Sequence, residues 1–118
     1  EGTTSVRGEE GEFIPWRWVS PEVHTGGVWS EASDVWAFGV TCWEVFSAAL
    51  IPFCEISDDG ELKRRVFQEG MRLQMPSGCP EWVYSVMGKC WAHNAFGRPS
   101  FSELKLLLQE NPAPSITL

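Results

Sequence analysis

The chain is poor in positive charge. Nine of its 118 residues are lysine or arginine and sixteen are aspartate or glutamate, which gives a formal net charge of −7. The one basic cluster, Lys63-Arg64-Arg65, falls on a predicted helix and favours a solvent-exposed helix face. Because no basic stripe is present to neutralise phosphates, neither nucleic acid nor an anionic membrane surface is expected as a partner.

The sequence also lacks a hydrophobic run suited to crossing a membrane. Its most apolar window, residues 35–53, carries Glu44 within it and Pro52 near its end. A carboxylate at mid-helix is costly in a bilayer, so a buried core helix is predicted instead. No membrane contact is expected from these residues.

Metal-binding patterns are missing as well. The four cysteines form no Cys-x-x-Cys pair, and neither His24 nor His93 stands at zinc-finger spacing. No metal site is therefore predicted, and the two histidines are expected to have loop-surface or capping roles. The cysteines are expected to be free thiols, although their even count also permits disulfides.

Apolar residues with helical spacing are abundant. Hydrophobic residues make up 43% of the chain, aromatic residues 13%, and seven residues are tryptophan. This composition is typical of a protein with a globular core. A length of 118 residues is enough for one domain at most. Three-and-four spacing predicts helices over about residues 31–47, 58–70 and 80–91, and a fourth from residue 100 to the prolines at 112 and 114. Residues 21–24 could add one helical turn. No strand is predicted, so the fold class is mainly α, about four main helices joined by loops, with no substantial sheet.

The predicted helices differ in their apolar faces and in their start signals. The first is apolar nearly all round, which predicts a buried central helix. The second helix is predicted to begin at Asp58, with Glu61 as its capping-box partner. The third begins with Pro80 as its first helical residue. The fourth begins with a capping box formed by Ser100 and Glu103. The last helix is expected to bury Phe101, Leu104, Leu107 and Leu108.

Outside the helices, the chain divides into three regions. Residues 1–12 are mostly glycine, threonine and glutamate, with almost nothing apolar, and are predicted to be mobile. Residues 13–30 mix tryptophan with proline and glycine, which is typical of an ordered loop. Residues 13–110 are predicted to fold together, and residues 111–118 form a C-terminal tail.

Several short motifs occur in an order that resembles a known family. Residues 15–22 read PWRWVSPE, residues 33–44 read SDVWAFGVTCWE, and further motifs follow at residues 79–80, 87–91 and 98–101. This order resembles the second half of the C-lobe of a protein tyrosine kinase catalytic domain, and the Arg17-Trp18 pair indicates the tyrosine branch. The resemblance implies the helical C-lobe portion of a protein-kinase-like fold, in which residues 1–12 are the tail of the activation loop.

The resemblance implies a substrate-docking loop at the first motif. Its residues would be Pro15, Trp16, Arg17, Trp18 and Val19. Pro15 matches the proline on which the ring of a substrate tyrosine rests in this family. Trp16 stands where the family usually has a small aliphatic residue, and its indole would narrow the pocket for the next substrate side chain. The alternative is that the tryptophans of this loop simply pack it onto the core.

The resemblance also implies two structural roles. Glu22 and Arg98 would form a buried ion pair that holds the loop on the helical core, and loss of one partner would leave an unpaired buried charge. Asp34, at the start of the central helix, would act as an anchor by accepting hydrogen bonds from the backbone of the catalytic loop. Because this sequence contains no such loop, an alternative is that Asp34 caps its own helix.

The catalytic motifs of the family are absent from these residues. Phosphoryl transfer needs a phosphate-covering glycine-rich loop, a strand lysine, a catalytic aspartate and a metal-binding aspartate. The three aspartates of the chain lie in neither a His-Arg-Asp nor an Asp-Phe-Gly motif. We therefore predict no catalytic, cofactor-binding or metal-binding residue in this chain, and expect it to be inactive alone. ATP and Mg²⁺ would be cofactors of the parent kinase.

Two functions from different classes follow. The first is a fragment of a tyrosine-protein kinase whose parent transfers the γ-phosphate of ATP to protein tyrosine. The alternative is a pseudokinase-type signalling scaffold that acts by binding. In either case the partner would be a protein substrate or signalling partner, and the remainder of the kinase domain would be needed for the full fold. The expected location is the cytoplasmic side, either in the cytosol or as the intracellular part of a membrane receptor.

Overall fold

A computed structural model describes residues 15–110, which are mainly helical. The five α-helices are α1 (Pro21–Gly26), α2 (Glu31–Phe46), α3 (Asp59–Lys63), α4 (Glu81–Cys90) and α5 (Phe101–Glu110). Short 3-10 turns, Trp16–Trp18 and Ala95–Gly97, precede α1 and α5, and α3 continues into a π-helical turn, Arg64–Gln68. The described residues contain no strand, so the predicted fold class is confirmed. The predicted mobile segment 1–12 and the tail 111–118 lie outside the described residues.

Helix α2 lies at the centre of the packing. It begins with a capping box in which the Ser30 hydroxyl accepts hydrogen bonds from backbone N–H groups of the first turn, and the Ser33 hydroxyl accepts one from the Ser30 N–H. Its buried face is formed by Val35, Trp36, Gly39, Val40 and Trp43. The prediction that this helix is the core is therefore right, but only for one face: Val45 in its last turn is 71% exposed.

A close approach between α2 and the end of α4 depends on Gly39. A Cβ atom at Gly39 would lie 2.8 Å from Cβ of Cys90 and 2.7 Å from Nε1 of Trp91. Contacts of this length are too short for any side chain, so glycine is needed for the two elements to pack. Because Cys90 is fully buried at this contact, burial raises the pKa of its thiol to about 12. All four cysteines are free, as predicted.

The starts of α3 and α4 follow their sequence signals with small differences. The Asp58 carboxylate accepts the backbone N–H of Glu61 at 2.8 Å, which is the predicted N-cap. The Glu61 carboxylate does not complete a capping box but accepts a hydrogen bond from Arg65. Pro80 precedes the first residue of α4 rather than forming it, because its backbone is extended, with ψ of 142°.

Helix α5 is less buried than predicted. Its capping box forms as expected: the Ser100 hydroxyl accepts the Glu103 N–H at 3.0 Å, and the Glu103 carboxylate accepts the Ser100 N–H at 2.9 Å. The prediction of four buried residues is wrong, since Leu104 is buried and Leu107 partly so, whereas Phe101 and Leu108 are 39% and 40% exposed. A cavity of about 550 Å³ opens between this helix and residues 96–99. The helix therefore lies at the edge of the described fold.

No helix within residues 15–110 is both long enough and apolar enough to cross a membrane.

Candidate functional site

The loop from Pro15 to Val19 is anchored by Arg17. Its guanidinium donates hydrogen bonds to the carbonyls of Pro52 at 3.0 Å, Phe53 at 2.7 Å and Ile56 at 2.6 Å. These three carbonyls belong to the turn that follows α2. The side chain predicted to shape a docking pocket thus points into the turn and fixes the loop against it.

The same hydrogen bonds support a strained turn. Phe53 adopts a left-handed backbone conformation, with φ of 55°, which is rare for a bulky side chain and costs roughly 1–3 kcal/mol. Its side chain is 7% exposed, and its carbonyl accepts one of the Arg17 hydrogen bonds. Arg17 and the buried Phe53 ring together hold this turn in place.

The other side chains of the loop turn inward to different degrees. The Trp18 indole donates a hydrogen bond to the Glu44 carboxylate on α2 at 2.9 Å. Val19 is 4% exposed. The Trp16 ring is partly buried and lies 4.2 Å from the imidazole of His24. Pro15, in contrast, is exposed at the start of the loop.

The structure brings Glu22 and Arg98 together. The Arg98 guanidinium donates two hydrogen bonds of 2.8 Å to the two carboxylate oxygens of Glu22, although the residues are 76 positions apart. The Arg98 side chain is fully buried, and that of Glu22 is 25% exposed. Bidentate pairs of this kind are the strongest protein ion pairs.

Every other N–H group of the Arg98 guanidinium is also satisfied. Its remaining donors bind the carbonyls of Ala92, Ala32 and His93 at 2.8, 2.9 and 3.1 Å. One side chain therefore joins α1, the first turn of α2 and the segment before α5. Burial raises the pKa of the Glu22 carboxyl, but the hydrogen bonds from Arg98 and from the backbone outweigh it and hold that pKa below its ordinary value.

His24 lies in a different environment from the one predicted. Both ring nitrogens are buried and have no hydrogen-bond partner within residues 15–110, because α1 turns the ring between Trp16 and Phe67 at centroid distances of 4.2 and 5.0 Å. The expected loop-surface or capping role is therefore wrong for His24. Burial, together with the positive charge of Lys63, lowers the pKa of its imidazole. His93 is exposed, as predicted for a surface residue.

Asp34 does not cap α2. The cap is Ser30, and Asp34 lies in the first helical turn as an exposed residue. A carboxylate there still complements the positive end of the helix dipole. The capping alternative is thus wrong, whereas the role of Asp34 toward a catalytic loop stays a prediction.

Most of the chain matches one protein-family model. Residues 2–108 match the model for protein tyrosine and serine/threonine kinases. The chain belongs to this kinase family.

Curated kinases resemble the chain over most of its length. Inactive tyrosine-protein kinase 7 of Mus musculus is 46% identical over 104 residues, which are 87% of this chain and 10% of that protein. Tyrosine-protein kinase Shark of Drosophila melanogaster is 40% identical over 111 residues, 94% of this chain and 12% of that protein. The transforming protein Fps of Fujinami sarcoma virus is 41% identical over 88 residues, 75% of this chain and 10% of that protein. The chain thus spans about a tenth of the length of the relatives it matches.

The described part of this kinase domain shows no cluster of metal-binding side chains. Within residues 15–110, no group of three or more histidine, cysteine or acidic side chains could hold a metal ion. Asp58 is already used as a helix cap, and Asp34 and Asp59 are exposed single carboxylates. Residues 15–110 therefore contain no cluster of side chains of the kind that holds a metal ion.

Three side chains of this kinase segment have roles that sequence reasoning did not assign. Glu44 binds the Trp18 indole, His24 lies in an aromatic stack, and Arg72 lies over the ring of Trp36 at 5.1 Å. A carboxylate inside an apolar helix was a usable signal for Glu44, since such a group needs a partner. Phe67, which packs on His24, and Trp36, which packs on Arg72, come from distant segments, so the local sequence carried no signal for these contacts.

Proposed function

We propose that these residues form the substrate-docking and scaffold part of a tyrosine-protein kinase, the full protein of which transfers the γ-phosphate of ATP to tyrosine residues of other proteins. The observation that carries this proposal is an exposed Pro15 at the start of a loop that Arg17 and Trp18 anchor to two separate elements. An aromatic ring can be oriented for reaction only on a surface that does not move. The family match and the tyrosine kinases among the relatives support it.

The parts of the proposed site have separate tasks. Pro15 supports the ring of the substrate tyrosine, and Trp16 narrows the pocket for the next substrate side chain. The Glu22–Arg98 pair keeps the loop on the helical core, and Asp34 accepts hydrogen bonds from the catalytic loop. ATP and Mg²⁺ are held by other parts of the full protein, which acts on proteins at the cytoplasmic side. In this proposal residues 13–110 are a part of the kinase domain.

The test is a kinetic assay of the full-length protein with Mg²⁺, ATP and a tyrosine-containing peptide. We expect phosphotyrosine to form, and we expect Trp16→Ala to raise KM for the peptide about two- to tenfold with little change in kcat, since the substitution removes a binding contact made equally in ground and transition states. Trp29→Ala is the matched control, because Trp29 is 47% exposed and outside the loop. An unchanged KM in Trp16→Ala, or an equal effect of the control, would contradict the docking role.

A second function, signalling by binding without catalysis, is favoured by one specific observation. The mouse relative that is 46% identical is an inactive tyrosine-protein kinase. In this alternative the anchored loop is an interaction surface rather than a substrate platform. Full-length protein that binds no ATP and forms no phosphotyrosine would favour the alternative, as would the absence of His-Arg-Asp and Asp-Phe-Gly motifs from its complete sequence.

A further inference from the structure

His24 on α1 is a titratable side chain that contacts the substrate-docking loop. Its imidazole lies between the Trp16 indole, at a centroid distance of 4.2 Å, and the Phe67 ring, at 5.0 Å. Phe67 belongs to the π-helical turn after α3, so the imidazole joins the loop to a separate element. The Phe67 ring in turn contacts Trp36 of the buried core at 6.1 Å. The position of Trp16 therefore depends on a series of ring contacts that reaches the centre of the fold.

The ring nitrogens of His24 fit the neutral imidazole better than the charged one. Both are buried and have no hydrogen-bond partner within residues 15–110. A neutral imidazole has one N–H group, whereas an imidazolium has two, and each buried donor without an acceptor is costly. Aromatic faces attract cations, but the lack of acceptors and the loss of hydration oppose a charged ring here. Proton binding should therefore drive the imidazole out of the stack.

The charged groups around the imidazole act on it in opposite directions. Burial, and then the positive charge of Lys63, lower the pKa of His24, while its own backbone and Asp59 oppose them. Asp59 is exposed, so a protonated ring that leaves the stack gains both water and an acidic neighbour. The other charged residues of the loop, of α1 and of residues 59–68 already have partners: Arg17 with three carbonyls, Glu22 with Arg98, Arg65 with Glu61, and Arg64 with Glu69.

We propose that His24 in its neutral form is a positioning residue for substrate docking, and that proton binding to its imidazole releases Trp16 and weakens the docking of the substrate peptide. This inference rests on the proposed docking function of the loop and adds a regulation by pH to it. The neutral ring holds the Trp16 indole where it narrows the pocket for the substrate side chain after the tyrosine. When the charged ring leaves the stack, that pocket loses its wall.

The size of the effect follows from linkage between proton binding and release of the ring. A histidine outside the stack has a pKa of about 6.5, so at pH 5.5 its charged form is in about tenfold excess. With a stacked ring that stays neutral, the equilibrium between stacked and released His24 shifts toward the released form by about tenfold relative to pH 7.5. The apparent affinity for a peptide falls with the fraction of molecules in which Trp16 is held. KM therefore rises tenfold at most, and we expect a rise of about two- to fivefold.

Hydrogen exchange of the full-length protein, followed by mass spectrometry, tests the release of the loop without catalysis. The N–H groups of Trp18 and Val19 bind the carbonyls of Pro15 and Trp16, so they exchange when the loop opens. His24→Phe keeps a ring in the stack and does not titrate. We expect the ratio of the wild-type exchange rate to that of His24→Phe in residues 15–19 to rise up to about tenfold from pH 7.5 to pH 5.5.

Comparison of the two proteins at the same pH cancels the intrinsic pH dependence of amide exchange. An unchanged ratio would overturn the proposal, whether or not the full-length protein is a kinase. The amides of α2 give a second comparison, because the buried core exchanges through global unfolding. Loop amides that exchange no faster than those of α2 would show that Trp16 is released only when the whole domain unfolds, which would also overturn the proposal.

A kinetic assay tests the coupling to docking. KM and kcat for a tyrosine-containing peptide are measured for the full-length protein at pH 7.5 and pH 5.5, for His24→Phe, and for the matched control His93→Gln, which changes an exposed histidine. We expect KM of the wild type and of the control to rise about two- to fivefold more than that of His24→Phe, with similar changes in kcat. A rise in KM that His24→Phe retains would overturn the proposal. No phosphotyrosine at either pH would contradict the proposed function, whereas the exchange rates would still test the release of Trp16.

Trp16→Ala shows whether the indole carries the effect. This variant has no ring for His24 to hold, so its KM should respond to pH as little as that of His24→Phe. If KM of Trp16→Ala still rises as in the wild type, His24 acts through another part of the molecule and the proposal is wrong.

Discussion

The segment of residues 15–26 and helix α5 are fixed in the molecule in opposite ways. The first consists of a 3-10 turn and one short helix, yet Arg17, Trp18 and Glu22 join it to three other parts of the chain. Helix α5 has ten regular residues, but Leu104 is its one buried side chain. Regular secondary structure is therefore a poor guide to which region is held firmly; long-range hydrogen bonds and burial decide it.

The difference has an energetic consequence. Removing one member of a buried polar network leaves the other members unpaired, so the cost falls on the whole segment. Removing an exposed apolar side chain from α5 exposes little that was hidden. A single substitution in the hydrogen-bond network of residues 15–26 should therefore cost enough unfolding free energy to release the whole segment. In α5, the cost of a substitution should instead scale with the apolar area that the replaced side chain buries.

The largest effect is expected for Arg98→Met. This substitution leaves the Glu22 carboxylate partly buried without its cation, and it deprives three carbonyls of their donor. We expect the kinase domain to lose about 3–5 kcal/mol of unfolding free energy. Urea unfolding followed by tryptophan fluorescence measures it.

The matched control is Arg64→Met. Arg64 pairs with Glu69 at the surface, where both side chains are about half exposed, and such pairs contribute about 0–1 kcal/mol. Equal losses of unfolding free energy in the two variants would show that the buried Glu22–Arg98 pair stabilises the fold no more than the exposed Arg64–Glu69 pair. The contrast drawn between residues 15–26 and α5 would then be wrong.

A smaller effect is expected within α5 itself. Leu104→Ala removes a side chain that is 2% exposed and should cost about 2–3 kcal/mol, near the lower end for buried leucines because the helix lies at an edge. Leu108→Ala, the same change at a residue that is 40% exposed, should cost less than about 1 kcal/mol. The same urea titration applies, and equal losses at the two positions would mean that the outer face of α5 is covered.

The sequence predicted the local features of the fold well and its long-range contacts unevenly. Helical spacing, the Asp58 cap and the Ser100–Glu103 capping box depend on neighbours within four residues, so periodicity and cap chemistry predict them. The burial of Phe101 and Leu108 was predicted wrongly, because spacing shows which residues share a face and not whether another element covers it.

The candidate site shows the same limit. The Glu22–Arg98 ion pair was predicted from the family resemblance. Local sequence cannot predict it, because the two residues are 76 positions apart. The anchoring of Arg17 to the carbonyls of the 52–56 turn was not predictable, because the acceptors are backbone atoms that any sequence presents. Backbone acceptors leave no residue-type signal.

The smallest effect concerns His24, whose two buried ring nitrogens have no hydrogen-bond partner among the described residues. Burial and Lys63 hold the pKa of its imidazole below the ordinary value of 6.5, with Asp59 opposing them. Between these two pKa values the unfolded chain binds a proton that the folded chain does not, so stability falls as the pH drops through about 6.5 and below. His24→Phe keeps an aromatic ring between Trp16 and Phe67 and removes the titration. We expect the unfolding midpoint of this variant to change less between pH 7.5 and about pH 5.5 than that of the wild type. A variant as pH-sensitive as the wild type over this range would show that the aromatic stack does not disfavour the charged imidazole.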